Sequence, residues 1–350
     1  RRAAISVEMA RRLGYQGVVT ATSGNYGAAV ASCAAKAGLQ CIVVQECFDS
    51  SGLGQPEIVE KARLCEAVGA EVIQLSVGPE LFYVFLRTLE ETGYFNASLY
   101  TPYAILGIQT LGAEIAVQCR NQVGRAPDRV VVTNAGGGNL TGTARGLKQM
   151  GCDAHVAAAS VSLQGLHMAS DRDFNRKSFT TGHTGFGMPY STWPDRSDVP
   201  RSAARPLRYL DSYHTVTQGE VFYITEALAA LEGMERGPAG NTSLAAAFSL
   251  AQQLPRDHIV VVQETEYTGA GKHHAAQLSF ARQQDIDIRF GNPREEVPGQ
   301  SIVLPMEPDA IQAQPVEVDQ LRRSLIRNAR QHSPGPLKKG DVEFLVAETK

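Results

Sequence analysis

Short apolar runs recur along this chain, each followed by a stretch with helical spacing, and that alternation constrains the fold more than any other feature. The runs are "GVVTAT" (17–22), "CIVVQ" (41–45), "AEVIQLS" (70–76), "RVVVTNA" (129–135), "HVAAASV" (155–161) and "HIVVVQETE" (258–266). A run apolar on both faces, such as 129–135, suits a parallel strand covered on both sides. Between the runs, Ile5, Met9 and Leu13 recur at i+4 ahead of Gly14, and a helix ending near residue 37 is closed by Gly38. "PEIVEKARLCEAVG" (56–69) predicts a helix, as do stretches near 79–92, 107–121, 141–150 and 318–331. Thr217 and Glu220 form a capping box before another. The pattern is that of an α/β protein wound around parallel sheets.

Composition narrows the class. With 43% hydrophobic and 20% charged residues and a net charge of −3, the chain lacks the basic excess of a nucleic-acid binder. No apolar run approaches the roughly 18 residues of a membrane span. The opening "RRAAISVEMARR" is amphipathic and basic without a signal peptide's apolar core, and it reads as a chain that begins mid-domain. Six scattered cysteines show no CxxC pair, which fits buried thiols and predicts a cytoplasmic protein. His273 and His274 lack a third ligand nearby, so no metal is expected.

Two strand-to-helix turns carry the chemistry. "TSGNYG" (22–27) ends one strand and "NAGGGNLTGTARG" (134–146) follows another. Three consecutive glycines let backbone N–H groups converge on an anion, with the helix N-terminus adding its dipole. Asn139, Thr141 and Thr143 add side-chain donors, and a phosphate is the expected guest. The dinucleotide fingerprint fails because Thr141 stands where its third glycine belongs, and no Gly-Lys-Ser/Thr follows for a Walker A loop. Residues 170–210 break the rhythm with glycine, proline and arginine, as an excursion over a functional site would.

"TSGNYG", the glycine loop after a central strand and "TGAGK" (268–272) together resemble the fold-type II pyridoxal-phosphate enzymes, among them threonine synthases, threonine dehydratases and cysteine synthases. The resemblance implies two parallel-sheet α/β domains with the cofactor, pyridoxal 5'-phosphate, in the cleft between them. The expected division is a smaller domain over 1–120 with the Ser-Gly-Asn turn, a larger one over 121–290 with the phosphate loop, and an extension over 291–350. It further implies that Asn25 bonds the cofactor's ring oxygen and that Thr22, Ser23 and Tyr26 bind the substrate carboxylate. Gly136, Gly137, Gly138, Asn139 and Thr141 would hold the phosphate, and Thr268 would face the pyridine nitrogen. The family's Schiff-base lysine lies in a Lys-x-Arg segment, so it is expected immediately upstream of Arg1; Lys36, Lys61, Lys148, Lys177 and Lys272 have no claim by motif. The dehydratases' Glu-Pro-Ala/Ser-Gly motif appears as "GPAGNTSLAAA" (237–247), with Gly237 at the Glu position, which speaks against a dehydratase.

A narrower resemblance runs along nearly the whole chain. "GLGQPEIVEK", "VVTNAGGGNLTGTARGLK", "FTTGHTGFGMP", "TWPDRSDVPRSAARPLRY" and "QETEYTGAGKH" are similar to the large subunits of 2-amino-4-oxopentanoate thiolases. That family implies thiolytic cleavage with coenzyme A to alanine and acetyl-coenzyme A in ornithine degradation, a small partner subunit, and a homo- or hetero-oligomer. His183 becomes a candidate catalytic residue, and Arg196, Arg201, Arg205 and Arg208 become candidates for coenzyme A phosphates or a partner surface. Two other readings stay open on the residues: a threonine-synthase-like lyase or β/γ-replacement enzyme, and a non-catalytic subunit if no lysine precedes Arg1.

Overall fold

The computed structural model describes residues 1–22, 24–48, 56–76, 80–99, 101–134, 137–162, 205–264, 274–319, 322 and 335–349. The apolar runs form two largely parallel sheets. The first takes β1 (Gly17–Thr22), β2 (Gln40–Phe48), β3 (Glu71–Ser76) and β4 (Phe95–Asn96) in the order β3-β2-β1-β4, every pairing parallel. The second takes β5 (Arg129–Thr133), β6 (His155–Val161), β7 (Ser212–Val216) and β8 (Val260–Gln263) in the order β7-β6-β5-β8. A separate parallel ladder pairs β9 (Asp287–Phe290) with β10 (Ser301–Leu304), and β11 (Gln314–Val316) adds an antiparallel edge beside β7.

Each sheet is sandwiched between helices. On the first, Val18 and Val43 pack with Ala3, Val7 and Ala10 of α1 (Arg2–Arg12) and Val30 and Ala34 of α2 (Asn25–Ala37). α3 (Pro56–Ala67) joins this face through Cys65. On the other face Val19, Ala21 and Val44 meet Leu81, Phe82 and Phe85 of α4 (Glu80–Thr92). Successive residues of one strand thus enter opposite cores, and β1, buried at all six positions, shows no polar alternation.

In the second sheet Val130, Val132, Val156 and Ala158 face Ile115 of α5 (Pro102–Val123) and Leu140 and Leu147 of α6 (Gly138–Gln149). Val131, Ala157 and Ala159 face Val221 and Ile224 of α7 (Gln218–Glu232) and Ala245 and Leu250 of α8 (Pro238–Ala251). A smaller core joins Phe222 of α7 to Leu278 and Phe280 of α9 (His274–Gln283) and to Ile302 and Leu304. The last described helix is α10 (Lys339–Thr349). α5 and α6 lie so close that a Cβ on Gly112 or Gly146 would run into the opposing backbone at Thr143 or Gln109.

The structure departs from the sequence expectations in instructive places. α5 begins at Pro102, five residues before the predicted start at 107, because Thr101 accepts from Ala104 N and Pro102 takes the first helical position. Residues 291–316, expected in an extension, instead supply β10 and β11 to the body of the molecule. Pro315 masked β11 from the sequence; an edge strand tolerates the missing N–H that a central strand would not. Most of the predicted helix at 318–331 and of the irregular stretch 170–210 lies outside the described residues. All six cysteines are free thiols, and Cys41, Cys47, Cys65 and Cys152 are buried.

Candidate active site

Both turns sit where parallel α/β sheets place ligands, beyond the carboxyl ends of strands. At the second, Gly137 adopts φ 79°, a left-handed conformation that favours glycine, and α6 starts at the next residue. No side chain caps this start, and its first turn carries no acid. The first N–H groups of a helix lack intrahelical partners and attract an anion. Thr141 is fully buried, and its hydroxyl donates to Gly137 O at 2.8 Å. Its side chain therefore shapes the loop rather than reaching out of it. Asn139 is fixed from outside: Arg2 Nη2 donates to its Oδ1 at 2.5 Å. A guanidinium only donates, so this contact turns the amide NH2 of Asn139 the other way.

The Ser-Gly-Asn turn follows β1. The Thr22 hydroxyl accepts from Gly24 N at 3.0 Å and Gly27 N at 3.3 Å, and donates to Gly24 O at 3.3 Å. Thr22, expected to touch a substrate carboxylate, is buried and holds the turn in shape. Tyr26 is likewise turned inward: its hydroxyl donates to Ala97 O at 2.8 Å, and burial pushes its phenol up to about 12. Any ligand contact from Tyr26 falls to its main chain. α2 has no side-chain cap at Gly24 and no acid in its first turn. Arg2 Nη2 also lies 3.0 Å from where a Cβ would stand on Gly138, so the start of α1 abuts the glycine loop.

A buried polar frame supports the glycine loop. Asn134 Nδ2 donates to Tyr213 Oη at 3.2 Å, Tyr213 Oη shares a 2.7 Å bond with Ser160 Oγ, and Ser160 donates to Asn134 O. On the other side Thr143 Oγ1 donates to Gln263 Oε1 at 2.5 Å. Ser243 Oγ donates to Gln263 O at 3.1 Å, and Ser243 N donates to Thr133 Oγ1 at 3.1 Å. These bonds bring the start of α8 to the ends of β5 and β8. Ser23, Gly136, His183 and Thr268 lie outside the described residues, as do Arg196 and Arg201. Among the described residues no cluster of histidine, cysteine or acidic side chains could hold a metal ion.

Sequence reading missed Arg2 as a partner of the glycine loop, and it dismissed Lys61. The signal for Lys61 was present. Ile58, Lys61, Ala62 and Cys65 follow helical spacing, and all four are buried along one face of α3. A lysine on an otherwise apolar stripe is an anomaly that asks for a reason.

Two helix-flanked parallel sheets, each with a glycine-bearing strand-to-helix turn that has no acid at its helix start, form an α/β fold suited to an anionic ligand. The family model described as "Pyridoxal-phosphate dependent enzyme" matches residues 1–264, and the chain belongs to that family. The solved structure of a T.th. threonine deaminase superposes with a TM-score of 0.60 over 75% of this chain and 82% of that one, and at 22% identity it shares the fold. Closer in sequence, the 2-amino-4-ketopentanoate thiolase beta subunit of Acetoanaerobium sticklandii is 69% identical over 100% of this chain and 75% of its own length. A second 2-amino-4-ketopentanoate thiolase beta subunit, from an unknown prokaryotic organism, is 62% identical over the same shares. No described helix is long and apolar enough to cross a membrane.

Proposed function

We propose that this chain is the cofactor-binding subunit of an enzyme that cleaves 2-amino-4-oxopentanoate with coenzyme A, yielding alanine and acetyl-coenzyme A in ornithine degradation. In that reaction the thiol sulfur bonds to C4, the C3–C4 bond breaks, and C3 takes a proton to become the methyl group of alanine. The observation that carries the reading is 69% identity along the whole chain to a 2-amino-4-ketopentanoate thiolase beta subunit. That relative's description as a beta subunit supports a partner subunit for this chain as well.

The residues present fit pyridoxal phosphate. Gly137, Gly138 and Asn139 offer main-chain N–H groups at an uncapped helix start with no acid in its first turn, the donor set a phosphate dianion requires. Arg2 adds a positive charge behind Asn139. Together with Gly136 these residues would hold the phosphate, while Asn25 would bond the ring oxygen and Thr268 the pyridine nitrogen. When bound, the cofactor draws electrons from the substrate's α-carbon and the bonds beyond it. Main-chain donors at the start of α2 would orient the amino acid's carboxylate on a turn that Thr22 braces. His183 and the arginines of 196–208 are the candidates for excluding water and holding coenzyme A.

The test is acetyl-coenzyme A formation from 2-amino-4-oxopentanoate by the full-length subunit, with and without its partner. Formation that needs both subunits and pyridoxal phosphate is expected. Turnover of other amino acids by β- or γ-replacement without thiolysis would overturn the reading.

A further inference from the structure

Lys61 is 4% exposed, and its Nζ lies 3.5 Å from where a Cβ would stand on Gly24. The pairing of β1 with β2 aims α3 at that point. Gln45 stands opposite Thr22 in the β1–β2 register, and its Nε2 donates 3.0 Å to Ile58 O in the first part of α3. Lys61 lies three residues on from Ile58, on the same helix face. The glycine at 24 leaves the near side of the turn without a side chain, so the ammonium reaches the backbone that opens α2. Here two positive ends converge. The start of α2 carries the positive end of its dipole, with no acid in its first turn and only the neutral Thr22 hydroxyl accepting from Gly24 N and Gly27 N. An anion arriving there meets the ammonium and the main-chain donors together, whatever other bond the ammonium makes.

We propose that Lys61 is a specificity-determining residue of the amino-acid site, its ammonium holding the substrate's α-carboxylate together with the main-chain donors at the start of α2. A carboxylate placed there is attracted by both positive groups and screens each from the other. The site thereby selects amino acids over amines and amides. Lys61→Arg would keep the charge with a broader, flatter head, and Lys61→Met would keep the packing without the charge. This proposal rests on the reading of the turn as the amino-acid site.

The experiment titrates the cofactor-loaded, full-length subunit with alanine and with alaninamide, following the cofactor's visible absorbance. In Lys61→Met, alanine affinity should fall about 10- to 100-fold, the worth of a hydrogen bond to a charged group. Alaninamide, which lacks the carboxylate, should bind within about twofold of the unaltered protein, and Lys61→Arg should retain most of the preference for alanine. Were Lys61 only a support for the turn, both probes would weaken in parallel; that result, or an unchanged ratio of the two affinities, overturns the proposal. Should Lys61→Met fail to fold, Lys61→Gln keeps a polar end in place and must show the same loss of ratio. Failure of the unaltered holoenzyme to bind either probe would instead overturn the reading of the site, and the proposal with it.

Discussion

Helix α7 begins on two acidic side chains, whereas α2 and α6 begin without one. At α7 each orphan donor of the first turn is met from within the chain. Glu296 accepts from Gln218 N and Gly219 N, both at 2.8 Å, and Thr217 Oγ1 accepts from Glu220 N at 3.2 Å. Glu220 in turn accepts from Thr217 N at 2.7 Å and from Gln312 N at 2.8 Å, and it pairs with Arg294. At α2 and α6 glycines precede the helix, neither first turn contains an acid, and cations approach from neighbouring elements. The same backbone physics serves stability in one place and, under the proposed function, ligand binding in the others. A carboxylate supplied by the chain must be buried permanently, while one supplied by a ligand is needed only when the site is in use.

The largest effect should come from opening α7. Glu220→Ala removes an acceptor for two buried N–H groups and the partner of Arg294, and should destabilise the fold by about 3–5 kcal/mol in denaturant titration. Cofactor affinity of the folded fraction should stay within about twofold. A variant that lost cofactor with its stability intact would break the comparison.

Glu296 tests the cost of the internal solution. Burial, with Glu220 nearby, pushes its carboxyl up from 4.5 to about 7 against the pull of three backbone N–H groups. The folded state therefore holds the proton more tightly than the unfolded one. That contribution to stability is full below about pH 4.5 and is lost as pH rises to about 7, a change on the order of 3 kcal/mol. Stability measured at pH 5 and pH 8 should differ less in Glu296→Gln than in the unaltered protein, and an identical difference would show that this group does not titrate in that range.

At the open end of α6, Gly137→Val forces a branched side chain into φ 79°. Strain of about 1–2 kcal/mol is expected, together with at least about a tenfold loss of pyridoxal-phosphate affinity by titration. Unchanged affinity would remove the loop from the phosphate site. The mildest variant is Asn139→Asp, which keeps Arg2 as a partner and sets a negative charge beside the phosphate. Affinity for inorganic phosphate should drop by a factor of about five, roughly 1 kcal/mol. Thermal stability without ligand should hold or rise, and a matching fall in both would argue for a purely structural Asn139.

Much of this was legible in order along the chain. β1 and β6 occupy the expected 17–22 and 155–161, Gly38 closes α2 with φ 70°, and Thr217 with Glu220 forms the predicted capping box. These features rest on neighbours within a few residues, where periodicity and capping chemistry act. β7, β9, β10 and β11 escaped notice because short strands carry little pattern, and β11 contains a proline that only an edge position excuses. The two anion-seeking turns were recognisable from glycine content and position after a strand. The inward roles of Thr22, Tyr26 and Thr141 were not, since a side-chain donor in a motif looks the same whether it faces a ligand or its own helix.

The sequence by itself determined the alternation of strands and helices, the glycine turns, and the family to which they belong, because each depends on local order. Only the tertiary structure decided which charges reach those turns. Arg2 meets Asn139 across 137 positions, and Lys61 meets Gly24 across α2 and β2, through helix packing that no local pattern encodes. Gln45 illustrates the reason. Its register opposite Thr22 exists only once β1 and β2 are paired, and its bond to Ile58 ties α3, and with it the buried ammonium, to that pair of strands.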